Sequence, residues 1–373
     1  MKWLFWGAAA FVCYIYAGYV GWLWLRARMH SKPVLRSPQQ PQISIVMVVR
    51  NEEGVLERKL HNLLGMDYPP ERCQIVVVSD GSTDRSEEIL REHARNPRVL
   101  TIVKQRSEGK ACGLNDAIAQ AGGEVVVFMD ARQEIELDAL RLLAENFADS
   151  EVGCASGELM LGDRNAGETA HGMGLYWRIE KKIRELEAAS GSVVGATGAL
   201  YAARRELVPA VPQGTILDDV YVPMEIARQG KRVIFDSRAR AWDTPNLGAD
   251  REFARKVRTL TGNYQLVQLA PWLLSASNPL RFEFVSHKLL RLVVPFALAA
   301  LLVASMSLPG PIYRLALILQ ALFYALSLLA WLHLSRGPLA RIADAALTFV
   351  LLNMAAAVAF RNFVMGRKAV WIR

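Results

Sequence analysis

The sequence lacks the cysteine and histidine spacings that build zinc sites or disulfide frameworks. It contains only four cysteines and six histidines, and neither a Cys-x-x-Cys nor a His-Glu-x-x-His pattern occurs. Isolated cysteines of this kind are usually buried free thiols of a reducing compartment. A chain of 373 residues can also bury a sufficient core without such staples. These absences exclude a disulfide scaffold and argue against a zinc motif.

Charged residues are also scarce, at 21% of the chain, where about a quarter is usual in soluble proteins. The charges are unbalanced, because 44 Lys and Arg face 36 Asp and Glu, for a net charge of +8. Such an excess suits nucleic acid, a membrane surface or an anionic small substrate. Since the basic residues flank the long apolar segments, anionic membrane lipid explains the excess, and we predict no nucleic-acid partner.

The first apolar segment, residues 3–25, contains no charged residue. As a helix it is longer than the ~30 Å hydrocarbon core of a bilayer, so it predicts a membrane span. A cleaved signal peptide fits less well, because the segment is too long and lacks a small-residue cleavage site. Arg26, Arg28 and Lys32 follow it and only Lys2 precedes it, so the next domain is expected in the cytoplasm.

The composition divides the chain into five parts. We assign residues 1–32 to the first span and its basic flank, 33–41 to a proline-containing linker, and 42–280 to a cytoplasmic domain. Residues 281–291 mix basic and apolar side chains as an interfacial amphipathic helix would, and 292–373 contain the C-terminal spans.

The C-terminal part leaves the number of spans open at three or four. Its apolar stretches cover roughly residues 292–307, 315–334 and 342–360. Three crossings there would put a basic C-terminus outside, against the positive-inside rule, and Arg341 and Asp344 weaken the last stretch. The residues concerned are Arg361, Arg367, Lys368 and Arg373.

The central part alternates strand-like and helical patterns. Valine- and isoleucine-rich runs lie at residues 43–49, 74–79, 98–103 and 124–130. Continuous apolar runs are typical of strands buried on both faces of a parallel sheet. We therefore predict an α/β domain with a doubly wound, mainly parallel sheet, plus transmembrane helices at both ends.

Polar residues follow three of these strands. The first is followed by Arg50-Asn51-Glu52-Glu53, the second ends in Ser79-Asp80, and the fourth is followed by Asp130-Ala131-Arg132. One acid after a strand often only caps a helix, and Asp84 fits that role. Ligands of doubly wound sheets bind at the carboxyl ends of the strands, so three such termini predict a binding site.

These motifs resemble a known family. The order RNEE, MDYPPERCQIVVVSDGSTD and EGKACGLNDAIAQAGGEVVVFMDA, within about residues 43–265, resembles the family 2 glycosyltransferases with the GT-A fold, in their bacterial membrane-bound branch. The resemblance implies an inverting enzyme that uses a nucleotide-diphosphate sugar. It implies that Glu52 and Asp80 hold the nucleoside, that Lys110 lies beside the diphosphate, and that Asp130 is the first aspartate of the DxD motif.

The resemblance also implies the catalytic base. Leu217-Asp218-Asp219 lies where the family has its TED motif, so Asp219 is the base in register and Asp218 the fallback. Residues 197–206 resemble the segment that lines the acceptor side. Arg255 and Arg258 lie where processive members carry QxxRW, and both are assigned to the donor. The alternative for Asp218 and Asp219 is that they only complement the dipole at the start of a helix. The alternative for Arg255 and Arg258 is that they belong to a solvated basic helix face.

Three departures from the family pattern bear on mechanism. The first strand ends VVRN where PxxN is usual, so Arg50 stands where the family often has a tyrosine that stacks near the base. The QxxRW motif lacks its glutamine and tryptophan, and Arg132 replaces the second aspartate of DxD. In one alternative Arg132 takes over the role of a divalent metal. In the other Asp130 still holds Mg²⁺ or Mn²⁺, and Arg132 pairs with Glu134 or Glu136.

These observations predict an inverting glycosyltransferase of the plasma (inner) membrane, multi-pass, with a cytoplasmic catalytic domain. Its acceptor would be a saccharide or a lipid-linked molecule, for exopolysaccharide or cell-envelope glycan synthesis. Because the DxD motif is incomplete, the alternative is a non-catalytic subunit that binds nucleotide sugars or scaffolds a polysaccharide export complex. The sequence does not name the sugar, the nucleotide or the acceptor.

Overall fold

The computed structural model describes residues 1–163, 168–169, 174–243 and 249–366. The strands in these ranges are Ile43–Val49 (β1), Cys73–Asp80 (β2), Val99–Lys104 (β3), Val125–Met129 (β4), Glu134–Ile135 (β5), Val152–Asp163 (β6), Glu168–Thr169 (β7), Leu200–Arg204 (β8) and Arg232–Asp243 (β9). They form one sheet in the order β3-β2-β1-β4-β8-β6-β9-β5, with β7 beside β6.

The main helices enclose this sheet and extend from it at both ends of the chain. They are Lys2–Met29 (α1), Glu53–Leu64 (α2), Ser86–His93 (α3), Lys110–Ala119 (α4), Ala139–Glu145 (α5), Gly174–Ser190 (α6), Asp218–Arg228 (α7), Ala249–Leu269 (α8), Arg281–Ser307 (α9), Pro311–Trp331 (α10) and Pro338–Val364 (α11).

The predicted α/β class and the four predicted strands are confirmed. Strands β3, β2, β1 and β4 are all parallel, and β2 and β4 lie on opposite sides of β1. The strand order therefore switches at β1, which is where doubly wound sheets bind ligands. The rest of the sheet is mixed, because β8 is antiparallel to β4 and β6, whereas β6 and β9 are parallel.

Burial of both sheet faces explains the uninterrupted apolar runs. Along β1, Ile45 and Met47 face one apolar cluster with α2, α3 and α5, whereas Val46 and Val48 face a second cluster with α4 and α7. Helix α4 lies so close to the sheet that a Cβ at Gly113 would meet Val48 at 2.8 Å. This packing fixes the start of α4 at the carboxyl edge of the sheet.

Among the described residues, four helices are long and apolar enough to cross a membrane: α1, α9, α10 and most of α11. The interfacial segment predicted at residues 281–291 is not a separate element, because α9 runs from Arg281 to Ser307. The basic residues Arg367, Lys368 and Arg373 lie outside the described residues.

A buried polar cluster joins the domain to these helices. The ring of His287 on α9 contacts two carboxylates of α6, with Nδ1 2.8 Å from Glu187 and Nε2 2.8 Å from Glu180. Tyr19 of α1 donates to Glu187 at 2.7 Å, and Arg291 donates to Glu180 at 2.8 Å. Because removing one member of a buried charged pair costs about 3–5 kcal/mol, the cluster fixes how α6 sits against α1 and α9.

Candidate active site

The site lies where β1, β2 and β4 end. The Nε atom of Arg50, just after β1, is buried without a hydrogen-bond partner among the described residues. The next residue, Asn51, has a φ of 55°, and its side chain accepts a hydrogen bond from the Thr83 amide at 2.8 Å. The ends of β1 and β2 are thereby joined at one edge.

Asp80 organises the loop that precedes α4. It is fully buried, and its two carboxylate oxygens accept hydrogen bonds from the Ser107 hydroxyl at 2.7 Å and the amides of Glu108 and Gly109 at 2.8 and 2.9 Å. Gly109 has a φ of 96°, which other residues rarely adopt. Asp80 therefore positions Lys110, the residue after Gly109. The role that the resemblance implies for Asp80 is a different one, contact with the nucleoside.

Lys110 connects two of the predicted acids. Its Nζ lies 3.0 Å from Asp130 Oδ1 and 3.3 Å from Asp218 Oδ1. Burial alone would lower the pKa of Lys110, but Asp130, Asp218 and Asp219 outweigh it and hold that pKa above its ordinary value. The lysine is therefore a fixed cation at this edge of the sheet.

Asp219 lies in the first turn of α7, close to the loop that follows α6. Burial and the neighbouring Asp218 raise the pKa of Asp219 to about 6, although Lys110 acts in the opposite direction. A Cβ at Gly198 would come within 3.0 Å of the Asp219 carboxylate, so the glycine leaves space beside it. Asp218 and Asp219 thus begin α7, as the alternative of acids at a helix start requires, and they also lie near Lys110 in the site.

The two arginines of α8 have different surroundings. Arg255 pairs with Asp243 at 3.5 Å and with Glu252 at 2.8 Å. Burial lowers the pKa of Arg258, while the carboxylates of Asp130, Asp218 and Asp219 act to raise it, so Arg258 lies near these three acids. Arg258 therefore faces the acids of the site, whereas Arg255 is paired with an acid of β9 and an acid of its own helix.

Arg132 lies two residues after Asp130, in the segment that follows β4. Burial raises the pKa of Glu52, and the Arg132 guanidinium is the main group that opposes this rise. The same guanidinium contributes to the lowered pKa of Arg258. Glu136, one of its two predicted partners, accepts a hydrogen bond from the Trp242 indole at 2.9 Å. The Arg132 guanidinium therefore lies near enough to Glu52 and to Arg258 to act on the pKa of both side chains.

Helix α2 holds the segment Asp130–Ile135 in place, which the sequence reasoning missed. Lys59 donates to the Gln133 carbonyl at 2.8 Å, and Arg58 donates to the Arg132 carbonyl at 3.1 Å. Asn62 forms two hydrogen bonds with the backbone of Ile135, each 2.9 Å long. The available signal was Lys59 itself, a charged residue on the helix face that also carries Leu56, Leu60 and Leu63.

We expect Lys59→Met to destabilise the domain and weaken donor binding. Lys59 is 2% exposed, and burial lowers its pKa to about 7, against the opposing effect of Asp130. Methionine fills similar space but leaves the Gln133 carbonyl unpaired, at a cost of about 1–3 kcal/mol. Thermal unfolding and the donor KM measure the two effects, with the exposed Lys182→Met as control. Unchanged values for both would show that Lys59 does not hold this segment.

Comparison with known proteins shows which family part of this chain matches. Residues 44–210 match the model of the family described as glycosyl transferase family 2. The chain is 26% identical over 186 residues to a β-monoglucosyldiacylglycerol synthase of Synechocystis, and 24% identical over 222 residues to a poly-β-1,6-N-acetyl-D-glucosamine synthase of Staphylococcus aureus. These alignments cover 48% and 58% of this chain, and 39% and 53% of those relatives. The chain thus spans about half or less of the length of either relative.

A solved structure shows the same fold over nearly the whole chain. The mannosyltransferase PcManGT of Pyrobaculum calidifontis, in complex with GDP-Man and Mn²⁺, matches with a TM-score of 0.77 at 23% identity. The match covers 98% of this chain and 99% of that one. The domain therefore has a GT-A-like fold. Residues 44–210, a little under half of the chain, are the part that matches the glycosyl transferase family 2 model.

Proposed function

We propose that the protein is an inverting glycosyltransferase that moves a sugar from a nucleotide-diphosphate donor to a saccharide or lipid-linked acceptor at a membrane. The observation that carries this proposal is the convergence of Lys110 and Arg258 with the carboxylates of Asp130, Asp218 and Asp219 at the switch point of the sheet. Cations beside an acid with a raised pKa match the needs of displacement at an anomeric carbon.

In this mechanism Asp219 removes the proton from an acceptor hydroxyl. The acceptor oxygen then bonds to the anomeric carbon as the bond from that carbon to the diphosphate breaks on the opposite face, so the configuration inverts. Lys110, Arg258 and Arg132 stabilise the negative charge that develops on the departing diphosphate. Arg50, with its buried Nε, lies at the end of β1 and is available to the nucleoside side of the donor.

The site fits a divalent ion only in part. Asp130 supplies one carboxylate, of which Oδ1 already accepts a hydrogen bond from Lys110. The second motif position is Arg132, which cannot act as a ligand. Mg²⁺ and Mn²⁺ are commonly held by one or two carboxylates plus substrate phosphates, so Asp130 would hold such an ion together with the donor. When bound, the ion would neutralise phosphate charge.

We further propose that the catalytic domain faces the cytoplasm at the plasma membrane. The candidate spans and the basic residues after α1 support this orientation. The names of the two curated relatives, a glycolipid synthase and a polysaccharide synthase, support a lipid or saccharide acceptor. Cell-envelope glycan synthesis is the process that we propose for this protein with either kind of acceptor.

Sugar transfer by the purified full chain tests the proposal. A thermal-shift screen of nucleotide sugars first identifies the donor, because a ligand that binds the folded state raises the unfolding temperature. Radiolabelled donor is then incubated with membrane lipids or oligosaccharides in nanodiscs. Donor binding without any transfer would favour the alternative of a non-catalytic subunit.

Deletion of residues 1–25 is expected to leave the protein in the membrane, because α9, α10 and α11 remain. A fragment of residues 26–275 should instead become soluble or aggregate. Flotation of both variants with the full chain as reference measures this. Tight bilayer association of the short fragment would mean that the domain carries a membrane-binding surface of its own.

A further inference from the structure

A second group of metal-binding side chains lies outside the site described above, between α2 and α3. One nitrogen of His61, one nitrogen of His93 and one carboxylate oxygen of Glu57 all lie within 4.8 Å of one another. Glu57 Oε1 is 3.4 Å from His61 Nδ1 and 3.6 Å from His93 Nε2. The sequence alone gave no sign of this group, because the two histidines are far apart in the chain.

The packing of two helices brings the three residues together. Glu57 and His61 are four residues apart on α2, so they share one face of that helix. His93 is the last residue of α3, which packs beside α2. The two imidazole rings cross at 88° with their centroids 5.4 Å apart, so they do not stack and both can turn a nitrogen towards one point.

Backbone carbonyls orient both rings. His93 Nδ1 lies 3.1 Å from the Ile89 carbonyl, and His61 Nδ1 lies 2.9 Å from the Glu57 carbonyl. A neutral imidazole that donates from Nδ1 to a carbonyl keeps the lone pair on Nε2 for a metal, as is common among metal-bound histidines. The His93 side chain is only 12% exposed, so its orientation is restrained before any ion binds.

The spacing of the donor atoms suits a tetrahedral ion. Ligands about 2.0 Å from Zn²⁺ are separated from one another by about 3.3 Å. Glu57 Oε1 and His93 Nε2 are 3.6 Å apart, close to that separation, and the nitrogen that His61 contributes lies within 4.8 Å of both atoms. Two imidazoles and a carboxylate are typical ligands of Zn²⁺, whereas Mg²⁺ and Ca²⁺ prefer oxygen alone. The side chains of Glu57 and His61 are 49% and 68% exposed, so solvent can supply a fourth ligand.

We propose that Glu57, His61 and His93 form a binding site for a divalent transition-metal ion of the zinc class. The site is separate from Asp130, and it stands or falls independently of the glycosyltransferase function. The N-terminal ends of the two helices are already joined, because the Glu53 amide donates to Asp84 at 3.0 Å. An ion bound at the other ends stabilises α2 and α3 as a unit, beneath the loops that contain Glu52 and Asp84.

Cobalt titration of the tag-free full chain, stripped with a chelator and kept in nanodiscs without nucleotide, tests the proposal. Tetrahedral Co²⁺ with nitrogen ligands absorbs visible light strongly, whereas an ion on the oxygen ligands of Asp130 does not. We expect one absorbing Co²⁺ per chain, displaced by Zn²⁺, and a rise in Tm when Zn²⁺ is added. His61→Gln and His93→Gln should each raise the Kd at least about tenfold.

Exposed residues elsewhere provide the controls. His333→Gln and Glu71→Gln remove one histidine and one glutamate outside the group and should keep the parent Kd. In EDTA, all variants should unfold at the same temperature as the parent, which separates loss of the ion from loss of folding. Equal cobalt affinity in the parent and in His93→Gln, or no tetrahedral cobalt spectrum, would show that the three residues are an ordinary surface cluster.

Discussion

Asp219→Asn is expected to lower sugar transfer by about 10²–10⁴-fold, the usual contribution of a general base. Asparagine keeps the shape of the side chain at the start of α7 but cannot accept the proton of the acceptor hydroxyl. Donor binding should stay near that of the parent, since Lys110 contacts Asp130 and Asp218 directly. Initial rates with saturating donor, together with the donor Kd, measure the two quantities.

The matched control is Asp67→Asn, which removes an exposed carboxylate that pairs with Arg141. Asp218→Asn should behave differently from both, because it removes a contact with Lys110 and should change the donor KM. Turnover by Asp219→Asn at the parent rate would remove this residue from the mechanism, and Asp218 would then be the base.

The assignment of Asp219 as the base determines how the rate of sugar transfer depends on pH. The base must be ionised, so with a pKa of about 6 for Asp219 the rate should fall as the pH drops through about 6. Asp218 raises this pKa and Lys110 lowers it. Asp218→Asn should therefore move the acidic limb of the kcat/KM profile to lower pH, and Lys110→Gln should move it to higher pH. Opposite shifts would exclude Asp219 as the titrating group.

The sequence predicted the parallel half of the sheet closely and the other half poorly. The run at residues 43–49 coincides with β1, because burial on both faces requires a continuous apolar stretch. Strands β6 and β9 gave no such signal. They pair over a separation of about 80 residues, with two register shifts, and that pairing depends on tertiary packing.

The site shows a similar division. Asp130 and Asp219 follow strand and helix signals that can be read locally, and a resemblance supplied their roles. The contacts that hold them depend on distant pairs, such as the Lys59 amine with the Gln133 carbonyl and the Ala196 amide with the Asp219 carbonyl. The sequence shows that Lys59 shares a helix face with leucines, but only the fold shows that its amine supports the Asp130 segment.

Removal of divalent ions is expected to reduce the activity of the parent protein only modestly, because Arg132 supplies a permanent cation where the family has a metal-binding aspartate. The Arg132 guanidinium acts to lower the pKa of both Glu52 and Arg258, so it lies near two side chains that we assign to the donor. A guanidinium can bind phosphate through two parallel hydrogen bonds. Transfer measured after exhaustive EDTA treatment, with and without added Mn²⁺, gives the metal dependence.

Two substitutions at this one position separate charge from ligation. Arg132→Gln removes the cation without adding a metal ligand, so it should lower transfer about 10²-fold, with little rescue by Mn²⁺. Arg132→Asp adds the missing carboxylate beside Asp130, so its activity should become strictly dependent on Mn²⁺ or Mg²⁺.

If EDTA abolishes the activity of the parent and Mn²⁺ restores it fully, the arginine does not replace the ion, and Asp130 with the donor phosphates holds the metal alone. Arg132 would then act only on the orientation of the donor, and Arg132→Gln would raise the donor KM with little change in kcat.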